Sequence, residues 1–152
     1  MQEHFDVPTQ NAANFVPLSP VSFLNRAALV HAEDTAAVHG DIRRTWAEVS
    51  NRVRRVAGGL IARGIRKGQT VSVIAPNIPE LYELHYAVPM CGAVLGAINT
   101  RLEAETIAYI LEHSDSRMVM VAIEVPWLHV QLDTMTFTEW AILLSNRLFY
   151  RG

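Results

Sequence analysis

Lysine is almost missing from this 152-residue chain: of 13 basic side chains, Lys67 alone is lysine. A phosphate loop of the Gly-x-x-x-x-Gly-Lys-Ser/Thr kind is excluded, and so is the dinucleotide fingerprint Gly-x-Gly-x-x-Gly; neither pattern occurs. Cysteine is as scarce. Cys91 stands alone, which rules out an intramolecular disulfide, and its neighbours Met90, Gly92, Ala93 and Val94 predict a buried, inert thiol. Charge is thin: 18% of residues are charged, the formal net charge is −2 and the pI is about 6.3. That balance gives no overall attraction to nucleic acid or to an anionic membrane. No uninterrupted apolar run is long enough to span a bilayer, which needs roughly 20 residues. The longest, Ala87 to Ile98, is broken by Pro89, Gly92 and Gly96. The first ten residues, MQEHFDVPTQ, lack the positive charge and apolar core of a signal peptide, so a cytoplasmic protein is expected.

Half the residues are hydrophobic, enough for one domain with a real core. Residues 1–19 show no periodicity and read as an extended lead-in. Ser19 then precedes Pro20 in the arrangement of an N-cap and first helical position. Val21, Leu24, Ala28, Leu29 and Ala32 follow at helical spacing. Gly40-Asp41 between two short extended pieces predicts a hairpin turn. Thr45 and Glu48 form a capping box that opens a helix with the stripe Val49, Val53, Val56, Leu60 and Ile61. Gly58-Gly59 inside it predicts close approach of a neighbouring backbone, to offset about 1 kcal/mol per glycine.

A strand is expected from Thr70 to Ala75, a helix from Pro79 through Met90, kinked at Pro89, and a strand from Val94 to Ile98. A helix from Glu103 to His113 and a strand from Arg117 to Val121 complete the series. Apolar strands alternating with amphipathic helices predict an α/β fold: a parallel sheet with crossover helices, covered on both faces. The polar Asn99-Thr100-Arg101 crossing then lies at the carboxyl end of a strand, where such sheets carry their functional loops. Beyond Ala122 the pattern changes; Trp127–Leu132 is strand-like and a helix is expected over Thr138–Tyr150.

Few residues invite chemistry. Six scattered histidines show no His-Glu-x-x-His pattern, so no metal site is expected. His85, on a helix beside the Pro76-Asn77 loop, is the one weak pocket candidate. The serines lack a Gly-x-Ser-x-Gly elbow, Asp115 reads as a turn residue, and Gly92 and Gly96 read as packing positions. Arg52, Arg54, Arg55, Arg63, Arg66 and Lys67 crowd one helix and its turn; without interleaved aromatics they read as a solvated face, and no nucleic-acid partner is expected.

The order of short motifs is more telling than any one of them. Thr45-Trp46-Ala47-Glu48 opens a helix, and Leu60-x-x-x-Gly64 leads to Lys67-Gly68-Gln69-x-Val71. Pro76-Asn77-x-Pro79-Glu80 and Gly92-Ala93-Val94 precede Asn99-Thr100-Arg101-Leu102. Together these resemble the start of the AMP-forming acyl-CoA synthetases, members of the acyl-adenylate-forming superfamily, over about residues 10–121. The Asn99-Thr100-Arg101-Leu102 form resembles the branch acting on fatty or other small carboxylic acids.

The resemblance implies that residues 20–121 are an incomplete N-terminal AMP-dependent synthetase/ligase domain, the first part of that family's large N-terminal domain. It implies ATP, Mg²⁺ and coenzyme A as cofactors of the full-length family, and a carboxylic acid as its substrate. The family holds phosphates with a Ser/Thr/Gly-rich loop ending in Pro-Lys-Gly and uses a lysine from a small C-terminal domain. This chain has no Gly-Thr, Ser-Gly, Thr-Gly or Pro-Lys dipeptide, and Lys67 matches only a turn before a strand. No catalytic, cofactor-binding or metal residue is therefore assigned, and no cofactor is expected for these residues alone. Residues 122–152 form an unmatched tail, for which truncation by a frameshift or early stop is read ahead of divergence. The expected protein is a truncated acyl-CoA synthetase, inactive by itself; the alternative is a non-catalytic interaction module that keeps the inherited α/β fold.

Overall fold

The computed structural model describes residue 11, residue 15, residues 18–122 and the backbone of 141–144. Helix α1 (Pro20–Val30) starts where Ser19 and Ser22 cap each other: each hydroxyl accepts from the other's backbone N–H, at 3.1 Å. Only Leu24 of its stripe is fully buried; Leu29, expected to face inward, is 83% exposed. Strands β1 (Thr35–His39) and β2 (Ile42–Thr45) form the expected antiparallel hairpin, turning at Gly40 with φ +54°. The hairpin is a separate two-stranded sheet.

Helix α2 (Trp46–Ala62) begins with the predicted capping box: Thr45 Oγ1 accepts from the Glu48 amide, and Glu48 accepts from the Thr45 amide at 2.8 Å. Val49, Val53, Val56 and Leu60 are buried, whereas Ile61 is half-exposed because a helix turns roughly 100° past Leu60 by that position. The expected close approach at the glycine pair does not occur. A Cβ on Gly58 would meet nothing within 4 Å, and one on Gly59 would meet only the side chain of Arg63, in its own helix region. Gly58 is exposed and Gly59 half-buried, and among the described residues no neighbouring backbone lies where either side chain would be.

Five residues of strand β3 (Thr70–Ile74) lead to helix α3 (Pro79–Met90), then β4 (Val94–Ile98), helix α4 (Ala104–His113) and β5 (Ser116–Ala122). Pro89 falls in the last turn of α3, which ends one residue later. The strands are parallel in the order β4-β3-β5, with β6 (Ala141–Leu144) added parallel to β5. β3 is central, and Val71 to Ala75 are all buried, as a strand covered on both faces requires. Strand β4 is an edge of the described sheet, with Val94 exposed.

The strand at Ala141–Leu144 corrects the helix expected over Thr138–Tyr150. An Ala-Ile-Leu-Leu run carries no period that separates a buried strand from a buried helix. What decides is the open parallel ladder of β5, which takes Ala141 opposite Val119 and Leu144 opposite Ala122. The strand expected at Trp127–Leu132 lies outside the described residues.

Glycine matters most at two places. Gly92 has φ +75°, and a Cβ there would sit 3.2 Å from Lys67 Cγ, since the Gly68 amide bonds the Gly92 carbonyl at 2.9 Å. At Gly96 a Cβ would come within 2.9 Å of Ser72 Oγ. Both are packing positions, as the sequence suggested. Asp115, the turn residue after α4, adopts φ 46° and its amide donates to the Glu112 carbonyl.

Candidate functional site

Parallel strands place the loops after β3 and β4 at one end of the sheet. Pro76-Asn77 follows β3, and Asn99 to Leu102 follows β4. There the Asn99 side-chain oxygen accepts from the Arg101 amide at 2.9 Å, closing a short polar turn. The chain leaves β3 toward β4 on one side, while β5 pairs with β6 on the other. Such a divergence at the carboxyl ends of adjacent strands is where open α/β sheets bind ligands. The segment after β5 lies outside the described residues.

Lys67 is at the opposite end. It precedes β3, with its stem against Gly92. Five residues of strand at about 3.3 Å each separate it from Pro76-Asn77 by roughly 17 Å. The sole ammonium side chain thus stands behind the sheet, away from the loops where phosphate chemistry would occur.

His85 lines an open cleft of about 690 Å³. Pro20 and residues Ala36 to His39 form one wall; α3 contributes Leu81, Tyr82 and Tyr86 on the other. His85 is exposed, and its Nδ1 donates to the Leu81 carbonyl at 2.8 Å. Tyr82 and Tyr86 meet edge to face, 5.3 Å apart, with hydroxyls 3.5 Å apart. Burial, and then the hydroxyl of Tyr86, push the Tyr82 phenol well above its ordinary range. It stays neutral at any working pH, accepting from the Tyr86 hydroxyl. Among the described residues, the cleft lining holds no carboxylate, lysine or arginine, so that lining can take apolar groups but offers no carboxylate, ammonium or guanidinium to activate one.

The most concentrated charge was missed by the sequence reading. Glu83, 2% exposed, accepts from Arg44 Nη1 at 2.5 Å and from Arg52 Nε at 2.6 Å. Glu80 accepts from Arg44 Nη2 at 3.1 Å, with Arg52 Nη2 at 3.6 Å. Arg52 therefore leaves the solvated face to which it was assigned. The signal was available: position 52 lies three residues after Val49 and four before Val56, on the buried stripe. Arg54, Arg55, Arg63, Arg66 and Lys67 do remain exposed.

Two other reactive types are held structurally. Cys91 Sγ donates to the Ala57 and Ala87 carbonyls at 3.3 and 3.2 Å, and burial raises its pKa, which suppresses the thiolate. Ser72, Ser116 and Ser114 form a hydroxyl chain at 2.6 and 2.7 Å, satisfying polar groups within the sheet.

Across residues 24–145 the sequence matches the family described as AMP-binding enzyme. The chain belongs to that family. The match reaches beyond Val121, where the quoted motifs stop, and takes in β6. Among curated relatives, the peroxisomal acetate/butyrate–CoA ligase AAE7 of Arabidopsis thaliana is 50% identical over 109 residues, covering 72% of this chain and 19% of its own length. Acetate–CoA ligase CCL3 of Humulus lupulus is 50% identical over 116 residues, covering 76% and 20%. The chain thus spans about a fifth of the length of these relatives.

Solved structures agree. The N-terminal domain of FACL13 from Mycobacterium tuberculosis superposes with a TM-score of 0.74 at 31% identity, over 79% of this chain and 32% of that one. The anthranilate CoA ligase AuaEII, solved with anthranoyl-AMP, gives 0.75 at 26% identity over 82% and 24%. The fold is the opening part of an acyl-CoA ligase N-terminal domain.

Proposed function

We propose that this chain is an incomplete acyl-CoA synthetase whose parent reaction activates a fatty or other small carboxylic acid with ATP. The acyl-adenylate formed would pass its acyl group to coenzyme A. By themselves these 152 residues do not perform the first step. One observation carries this: the only lysine stands at the amino-terminal end of the sheet, and no Ser/Thr/Gly-rich phosphate loop occurs in the sequence. Displacing pyrophosphate requires fixed donors or cations where negative charge develops. The residues present do not fit ATP and Mg²⁺, so no step is drawn through them.

The names of the two ligases just described support a short-chain acid as the parent substrate. The test is ATP–pyrophosphate exchange by the purified chain with acetate, butyrate and longer acids. No acid-dependent exchange above the protein-free rate is expected; robust exchange with any of them overturns the proposal.

A second reading, a non-catalytic interaction module, is favoured by one feature. Of ten exposed large apolar side chains among the described residues, seven lie between Phe15 and Ile42. Exposed apolar side chains concentrated in one stretch of the chain supply the kind of surface that a partner contact would need.

A further inference from the structure

The β1–β2 hairpin is attached in an unusual way. None of its residues belongs to the fully buried apolar core. Ala36 packs partly against that core, while Val38 and Ile42 point outward. Its one buried side chain is Arg44. That guanidinium reaches Glu80 and Glu83 on α3, and Glu83 also holds Arg52 of α2. At the base, the amides of Trp46 and Ala47 donate to the carbonyls of Asp34 and Ala32, at 3.1 and 3.0 Å. Residues Ala36 to His39 of the same hairpin form the wall of the apolar cleft facing Tyr82 and Tyr86.

We propose that the hairpin is a flap over this cleft, hinged at Ala32–Asp34 and Trp46–Ala47 and latched shut by Arg44 on Glu80 and Glu83. Apolar burial is what normally makes an element open only with the whole molecule. An element with only Ala36 packed partly against the core, and held otherwise by the Arg44 pairs with Glu80 and Glu83, opens locally at lower free energy than the sheet beneath. Opening removes the β1 wall and exposes the tyrosine face of α3. Glu83 keeps Arg52 as a partner when Arg44 leaves, so the open form does not strand an isolated buried carboxylate.

Amide hydrogen exchange tests this on the full chain. Replacing Arg44 with glutamine is expected to speed exchange across residues 35–45 by about tenfold or more, with less than about threefold change in β3. Arg44→Lys, which keeps the charge, should fall between. Equal acceleration in the hairpin and β3, or none in the hairpin, overturns the latch. If Arg44→Gln does not fold, the unaltered chain is measured in rising sub-denaturing urea. A flap predicts hairpin exchange nearly insensitive to urea while β3 exchange rises steeply. Hairpin amides that follow the urea slope of β3 contradict it.

Discussion

Replacing Glu83 with alanine should destabilise the folded chain by about 3–5 kcal/mol, the cost of stripping the partner from buried charges. Glu83 is the most deeply buried member of the Arg44, Arg52, Glu80 and Glu83 cluster, and it makes the two shortest contacts. Its loss leaves two guanidinium groups, each less than one-fifth exposed, sharing Glu80 at 3.1 and 3.6 Å. Unlike Arg44, whose loss frees only the hairpin, Glu83 joins α2, α3 and β2 at one point. A domain of this size has roughly 5–15 kcal/mol in total, so the variant should melt early or not fold. Urea denaturation followed by circular dichroism measures the effect. Glu80→Ala, losing longer contacts nearer solvent, should cost less, and a Glu83 variant within about 1 kcal/mol of the parent would refute the assignment.

The second large effect concerns the sheet's cover. Helix α4 touches the rest of the molecule chiefly through Ile107 and Leu111, which are 0% and 1% exposed. Truncating Leu111 to alanine should cost about 2–5 kcal/mol, combining lost transfer energy with the cavity left behind. Equilibrium unfolding of Leu111→Ala against Leu29→Ala separates packing from general hydrophobicity. Leu29 stands in solvent, so its removal should change stability by less than about 0.5 kcal/mol. Similar losses for both would contradict the packing described.

Much of this was legible in the sequence because it rests on local rules. The Thr45–Glu48 box, the Gly40 turn, the proline starting α3 and the strand at Val94–Ile98 depend on residues close together in the chain. What escaped depends on residues far apart. Leu29 and Ile61 are apolar at plausible helical spacing, yet whether they are covered depends on how α1 and α2 rest on their neighbours. The charge cluster joins position 44 to 83, and an arginine-rich helix reads as solvated until a glutamate from another helix arrives. Strand β6 is selected by the open edge of β5, which its own four residues do not announce. The cleft that His85 lines is walled by residues from three distant stretches of the chain, so its apolar character could not be read from the neighbours of position 85. Cys91, expected to be buried, is only partly so, because it caps the end of α3 where the chain turns toward β4.

The central claim is that the activating apparatus for carboxylic acids is not formed by these residues. It is tested most directly by titrating the isotopically labelled chain with Mg·ATP and following backbone amide resonances. The account predicts no saturable shift at Pro76 to Ile78 or Asn99 to Leu102 (Pro76 itself having no amide to report). Saturable shifts confined to those two loops, with the Lys67 turn unmoved, would show that triphosphate binds without a cradle and would contradict it.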